Sequence, residues 1–164
     1  MLQAPRPVFV ALRDDTNEAA ADRAEPVLLI LLLAGVALAL ASNASRGYHG
    51  LMLPVWLFVA GGITGGAAYW IFGAILYGTA HALGSQGSYR RARHVLAYAC
   101  VPLALSLIVS PVGRSAFSWV FLVFVAWSAG LLAIGVRAVH GWTWGRAVVA
   151  IVPPLAVAAL LLAL

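Results

Sequence analysis

Every carboxylate side chain in this 164-residue chain lies within its first 25 positions: Asp14, Asp15, Glu18, Asp22 and Glu25. From Pro26 onward there is no acid and no lysine. The only formal charges there are seven arginines, Arg46, Arg90, Arg91, Arg93, Arg114, Arg137 and Arg146, and each falls between long apolar runs. A soluble domain scatters both signs of charge over its surface. Here charge is kept out of the apolar stretches, as a bilayer demands, because an ionised group at the hydrocarbon centre costs at least about 2.5 kcal/mol. At 63% hydrophobic and 9% charged residues, the chain carries more apolar surface than a soluble fold of its length could hide.

The same composition excludes several functions. The net charge of +5 comes from thinly spread arginines, with no aromatics interleaved outside the membrane ends, so it does not suggest nucleic-acid binding. Cys100 is the single cysteine and can form no internal disulfide. Ten arginines against no lysine fit a GC-rich bacterial genome and, with it, a multi-pass protein of the bacterial plasma (inner) membrane. The run Val27 to Ala41 ends in a signal-peptide-like Ala39-Leu40-Ala41. The five acids ahead of it are wrong for a positive leader, so it is expected to stay as a span.

The chain is expected to be all-helical, with a cytoplasmic segment at 1–25 and a transmembrane domain at 26–164. Five spans are expected near 26–42, 54–83, 95–111, 116–137 and 147–164. In the N-terminal segment, Pro7 is suited to open a helix, with Phe9 and Leu12 on one face. Asp15 and Glu18 read as a capping box for a second short helix over Thr16 to Ala24. Two readings of this segment stand: a short helix at the membrane interface, or a mobile tail. The second apolar run is too long for one perpendicular span, since thirty helical residues reach ~45 Å against a ~30 Å core. Either that helix tilts or protrudes, or Gly61, Gly62, Gly65 and Gly66 break it. Short loops put orientation in the hands of the arginines. With the N-terminus inside, eight arginines are cytoplasmic and only Arg46 and Arg114 are outside, which predicts N-in and C-out.

Little in the apolar runs resembles chemistry. Gly61 with Gly65, and Gly62 with Gly66, form small-xxx-small pairs that let two backbones touch. The alternative is a broken helix lining a substrate path, which would make the chain a small transporter or channel component. Tyr69, Tyr77, His81 and Tyr98 are the intramembrane polar residues. His81 sits near the end of its span, where interface anchoring competes with a titratable site. His49, His94 and His140 read as lying in or beside loops, so no metal site assembles, and no cofactor is expected. Ser106, Ser110, Ser118 and Ser128 have no histidine or acid one helical turn away, so no nucleophile is activated and the chain is not expected to be an enzyme. Their hydroxyls are expected to bond back to the preceding turn or across to another helix.

The richest loop is Gly84-Ser85-Gln86-Gly87-Ser88-Tyr89-Arg90-Arg91-Ala92-Arg93-His94, with three arginines in four residues. At headgroup depth each is worth roughly 1 kcal/mol of attraction to anionic lipid. Arg90, Arg91 and Arg93 are therefore the expected contacts for lipid or an acidic partner, unless they only set orientation.

That loop, together with Gly65-Gly66, Tyr69, Val95-Leu96-Ala97-Tyr98-Ala99, Pro102 and the early Pro7 and Phe9, resembles the bacterial branch of the Yip (Ypt-interacting protein) domain family. The resemblance covers nearly the whole chain. It implies five spans with a cytosolic N-terminus. Eukaryotic members bind Rab-type GTPases in early secretory traffic, a role not carried over to this chain, whose N-terminal segment is much shorter. The expectation is a non-enzymatic structural or interaction subunit, whose partners are other membrane proteins or a second copy of itself, and anionic lipid.

Overall fold

The computed structural model describes residues 5–42, 52–112 and 114–163. Arg46, His49 and Leu51, with the side chains of Ser110, Arg114 and Ser118, lie outside the described residues. Eight α-helices are described: α1 (Pro5–Ala11), α2 (Asn17–Asp22), α3 (Ala24–Ala41), α4 (Met52–Ala82), α5 (Tyr89–Ala99), α6 (Val101–Leu105), α7 (Arg114–His140) and α8 (Trp144–Ala163). A 3-10 segment over Ser106–Val112 joins α6 to α7. No strand is present among the described residues. Five stretches are long and apolar enough to cross a membrane: Asn17–Ala41, α4, Tyr89–Val109, Trp119–His140 and Trp144–Leu161.

The second run resolves as one unbroken helix, since α4 continues through all four glycines. Thr64 Oγ1 donates back to the Ala60 carbonyl at 2.7 Å, within the same helix. Large side chains such as Met52, Phe58, Ile63 and Trp70 point outward from it. In water these would form an extensive apolar patch; in lipid they are the solvated face. The third span is made of two helices, because α5 ends at Ala99 and Pro102 opens α6 in its first turn.

The membrane turns end where glycine permits a left-handed backbone. Gly84 (φ 82°) follows α4 and Gly141 (φ 68°) follows α7. The Gly84 amide donates to His81 O at 2.8 Å and the Gly141 amide to Arg137 O at 2.9 Å, using carbonyls that the helix ends leave free.

Helix α8 keeps Pro153 and Pro154 inside it. A proline at 154 has no N–H for the carbonyl of Ala150, one turn earlier. Helix α4 supplies the replacement: Thr79 Oγ1 lies 2.8 Å from Ala150 O, with its own Leu76 O at 3.0 Å as the competing acceptor.

The first N-terminal helix is docked on protein. Helix α1 runs over Pro5–Ala11, and its Phe9, with Leu12 in the turn that follows, is buried in the main core with Val95, Leu131, Val136 and Ile151. Phe9 fits over bare backbone, since a Cβ added at Gly135 would come within 2.8 Å of its ring. Helix α2 is capped by Thr16, whose hydroxyl accepts from the Ala19 amide at 3.3 Å. The expected Asp15–Glu18 box is not the cap, because Asp15 is drawn to α5.

Candidate functional site

The α3–α4 contact is built from missing side chains. A Cβ at Gly35 would fall on the Gly61 carbonyl oxygen and 2.9 Å from the Gly65 nitrogen. One at Gly61 would come within 2.5 Å of Val36 Cγ2, and one at Gly65 would fall on the Leu31 carbonyl oxygen. The other expected pair faces elsewhere: Gly62 would reach only Leu32 Cδ1 at 4.0 Å, and Gly66 meets nothing within 4 Å. Gly61 and Gly65 therefore form the seam, with Gly35 as their counterpart. Gly35 was not singled out from sequence, although it is the one glycine of its span and that was the available signal.

At one end of the bundle the arginines meet the N-terminal segment. Ser88 caps α5 by accepting from the Arg91 amide at 3.0 Å, and its hydroxyl donates to the Asp15 carboxylate. Asp15 also pairs with Arg90, Nε to Oδ1 at 3.3 Å, the single ion pair among the described residues. Arg90 further donates to Asn17 Oδ1 at 2.9 Å. Arg91 donates to the Arg13 carbonyl at 2.8 Å, and Arg13 in turn gives Nε and Nη2 to the Ala138 carbonyl at 3.1 and 2.6 Å. Arg23 ties the segment to itself, reaching Asp14 O and Ala11 O at 2.7 and 2.9 Å. Ser88, Asp15 and Arg90 hold a helix end in place. With the serine proton donated to the carboxylate, the group acts as a clamp.

Arg93 is held differently. Its guanidinium carbon lies 3.9 Å from the Trp70 ring centroid, 4.5 Å from Tyr89 and 4.9 Å from Tyr69. Three ring faces around one cation stabilise it electrostatically. The stem lies across Gly73, where a Cβ would collide with Arg93 Cγ. Tyr89 closes the box by donating from its hydroxyl to the Trp70 carbonyl at 2.8 Å. The three arginines thus diverge: one to a carboxylate, one to a carbonyl, one into an aromatic box.

The polar residues expected within the spans do not converge. Tyr69 packs against Val27, Leu31 and Ala97 and stacks on His94, centroids 6.5 Å apart. Tyr77 stacks on the exposed His81 at 5.8 Å and meets Tyr89 edge-on at 5.8 Å. Tyr98 is half-buried between two core clusters. Among the described residues no three His, Cys, Asp or Glu side chains gather to hold a metal.

The Yip1 domain family model matches residues 1–164. The chain belongs to the Yip1 domain family. No curated protein and no solved structure matches it. Family and helices together make this Yip1-domain chain a multi-pass membrane protein.

Of the histidines expected in or beside loops, His94 lies inside a helix and His140 stands beside a turn. His94 is buried, because α5 already begins at Tyr89; Ser88, a strong N-cap residue, was the signal. His140 belongs to the last turn of α7, where its Nδ1 faces the Val136 carbonyl at 2.9 Å and its ring stacks on Trp142 at 4.5 Å. Of the four serines, Ser106 donates to its own preceding turn, to Leu103 O at 2.6 Å. Ser128 is buried with no hydrogen-bond partner for its hydroxyl.

Proposed function

We propose that this Yip1-domain protein is a non-enzymatic subunit of the bacterial plasma membrane, N-in and C-out, that joins other membrane proteins or a second copy of itself through contacts to protein and anionic lipid. One observation carries the reading. Eight arginines surround the end of the bundle where the N-terminal segment docks, and one ion pair, Asp15 with Arg90, serves them among the described residues. The Arg90 side chain is still 37% exposed, which leaves donors available for a phosphate or an acidic partner. Glutamine at Arg90, Arg91 and Arg93 together is expected to reduce recovery of anionic lipid and of co-purifying protein at low salt, where screening is weakest. Equal recovery at every salt concentration, with topology intact, would leave these arginines with orientation alone.

A second reading, a small transport component, rests on a hollow of about 530 Å³ beside the glycine seam. Gly35, Gly65, Tyr69, Cys100 and Ser128 are on its walls, and among the described residues no arginine or carboxylate is. Such a lining suits an apolar molecule and no ion.

A further inference from the structure

The N-terminal segment around α1 and the end of α7 with its following turn line an open notch of about 100 Å³, whose walls include Arg6, Arg13, Ile134, Arg137, Gly141 and Trp142. Three of these are cations, and no carboxylate lines the pocket among the described residues. The acids nearest in the chain are engaged elsewhere. Asp14 accepts from the Thr16 amide at 3.1 Å, and Asp15 is held by Ser88 and Arg90.

The donors around the pocket are only partly used. Arg13 spends Nε and Nη2 on the Ala138 carbonyl, and its Nη1 remains. The Arg137 guanidinium rests on Trp144 at 4.5 Å, and its buried Nε has no hydrogen-bond partner. Three like charges about one small space repel each other, and an anion between them offsets that repulsion. Guanidinium forks match the oxygens of phosphate, and backbone or ring donors do not supply that charge. The space is large enough for a single tetrahedral oxyanion.

We propose that this notch between α1 and α7 binds one phosphate group. It lies where α7 leaves its apolar span, so the phosphate can belong to a lipid headgroup or be free in solution; the recognition chemistry is the same. None of Arg90, Arg91 and Arg93 lines the notch, although Arg91 touches it through the Arg13 carbonyl, and the site stands if that loop proves to set orientation only.

The test uses the full chain, delipidated in a phosphate-free maltoside detergent. Inorganic phosphate, short-chain phosphatidic acid and short-chain diacylglycerol are titrated separately, with thermal stability and native mass as readouts. Phosphatidic acid is expected to bind and stabilise, and diacylglycerol to do neither. Comparable binding of inorganic phosphate identifies a free-phosphate site; a clear preference for phosphatidic acid identifies a headgroup site. Glutamine at both Arg6 and Arg137 should weaken binding about tenfold, as loss of charge-assisted hydrogen bonds does. Arg6→Gln alone, on an exposed position of α1, should weaken it severalfold and keeps the result readable if the double variant does not fold. Arg93→Gln, whose guanidinium sits in the aromatic box and outside the lining of the notch, should retain the binding. Failure of both phosphate ligands to bind, or undiminished affinity in Arg6→Gln, overturns the site.

Discussion

The α3–α4 seam and the arginine clamp hold the same bundle by opposite means. At the seam nothing polar is exchanged between side chains: Gly35 meets Gly61 and Gly65 because no Cβ stands between the backbones. At the clamp, long charged side chains reach from one element to a carbonyl or carboxylate of another, Arg91 to Arg13 and Arg13 to Ala138. The depth of each contact explains the choice. Within lipid, apolar side chains gain nothing by leaving the solvent, so close packing supplies the attraction. At the water boundary, helix ends and turns leave carbonyls free, and arginine donors can satisfy them. The seam should therefore answer to volume and ignore salt, and the clamp should do the reverse.

The largest expected effect breaks the seam. Leucine at Gly35 or Gly65 must push α3 from α4 and should lower stability by about 3 kcal/mol, at the upper end for overpacking. Gly66→Leu, on the open side, should change little. Thermal unfolding in detergent measures both, and equal losses at Gly65 and Gly66 would erase the distinction between the two glycine rows.

Next comes Phe9→Ala, which removes the ring that fits over Gly135. A loss of about 3 kcal/mol is expected for the docking of α1, as for other buried phenylalanines. Limited proteolysis within residues 5–25 reads it, because a released α1 is cut faster while the spans stay protected. Unchanged cleavage would mean that the arginine contacts alone seat the segment.

Salt sharpens the comparison at the clamp. Asp15→Asn keeps a hydrogen-bond acceptor for Ser88 but removes the charge facing Arg90. About 1 kcal/mol or less is expected for this partly exposed pair, fading as ionic strength rises. A loss that persists in high salt would assign Asp15 to packing instead.

The smallest effect is one of pH. Asp14 is held below its ordinary 3.8 first by the Thr16 amide, then by the Thr16 hydroxyl. A carboxyl depressed in the folded state contributes stability above its unfolded pKa and loses it as pH falls through the folded value. The start of α2 should loosen only below about pH 4, seen as a shift of the Thr16 amide resonance, and Asp14→Asn should abolish that shift.

The spans were legible because the bilayer enforces one rule along the whole chain: charge goes to the ends. Their partners were less so. Gly61 and Gly65 announce a close contact, but the alternation that offers Gly62 and Gly66 equally is resolved only by the face that meets Gly35. Phe9 and Leu12 read as an apolar patch, and nothing local says that Gly135, far along the chain, leaves room for the ring. Arg93 read as one of three headgroup contacts. Its box is made by Tyr69 and Trp70 from the preceding helix, and only the antiparallel return of α5 along α4 brings those rings to it. Local chemistry was visible at Ser88, whose capping role follows from residue type, and its tie to Asp15 was not.

The hydroxyl of Thr79 opposite Pro154 has a consequence for biosynthesis. The carbonyl of Ala150 is born without a donor in its own helix, and in hydrocarbon such a group costs several kcal/mol until it is satisfied. Helix α4 precedes α8 in the chain, so the donor is already in the bilayer when the acceptor arrives. Of the two carbonyls that Pro153 and Pro154 leave without a helical donor, Val149 and Ala150, the second thus meets a donor on a helix made before it.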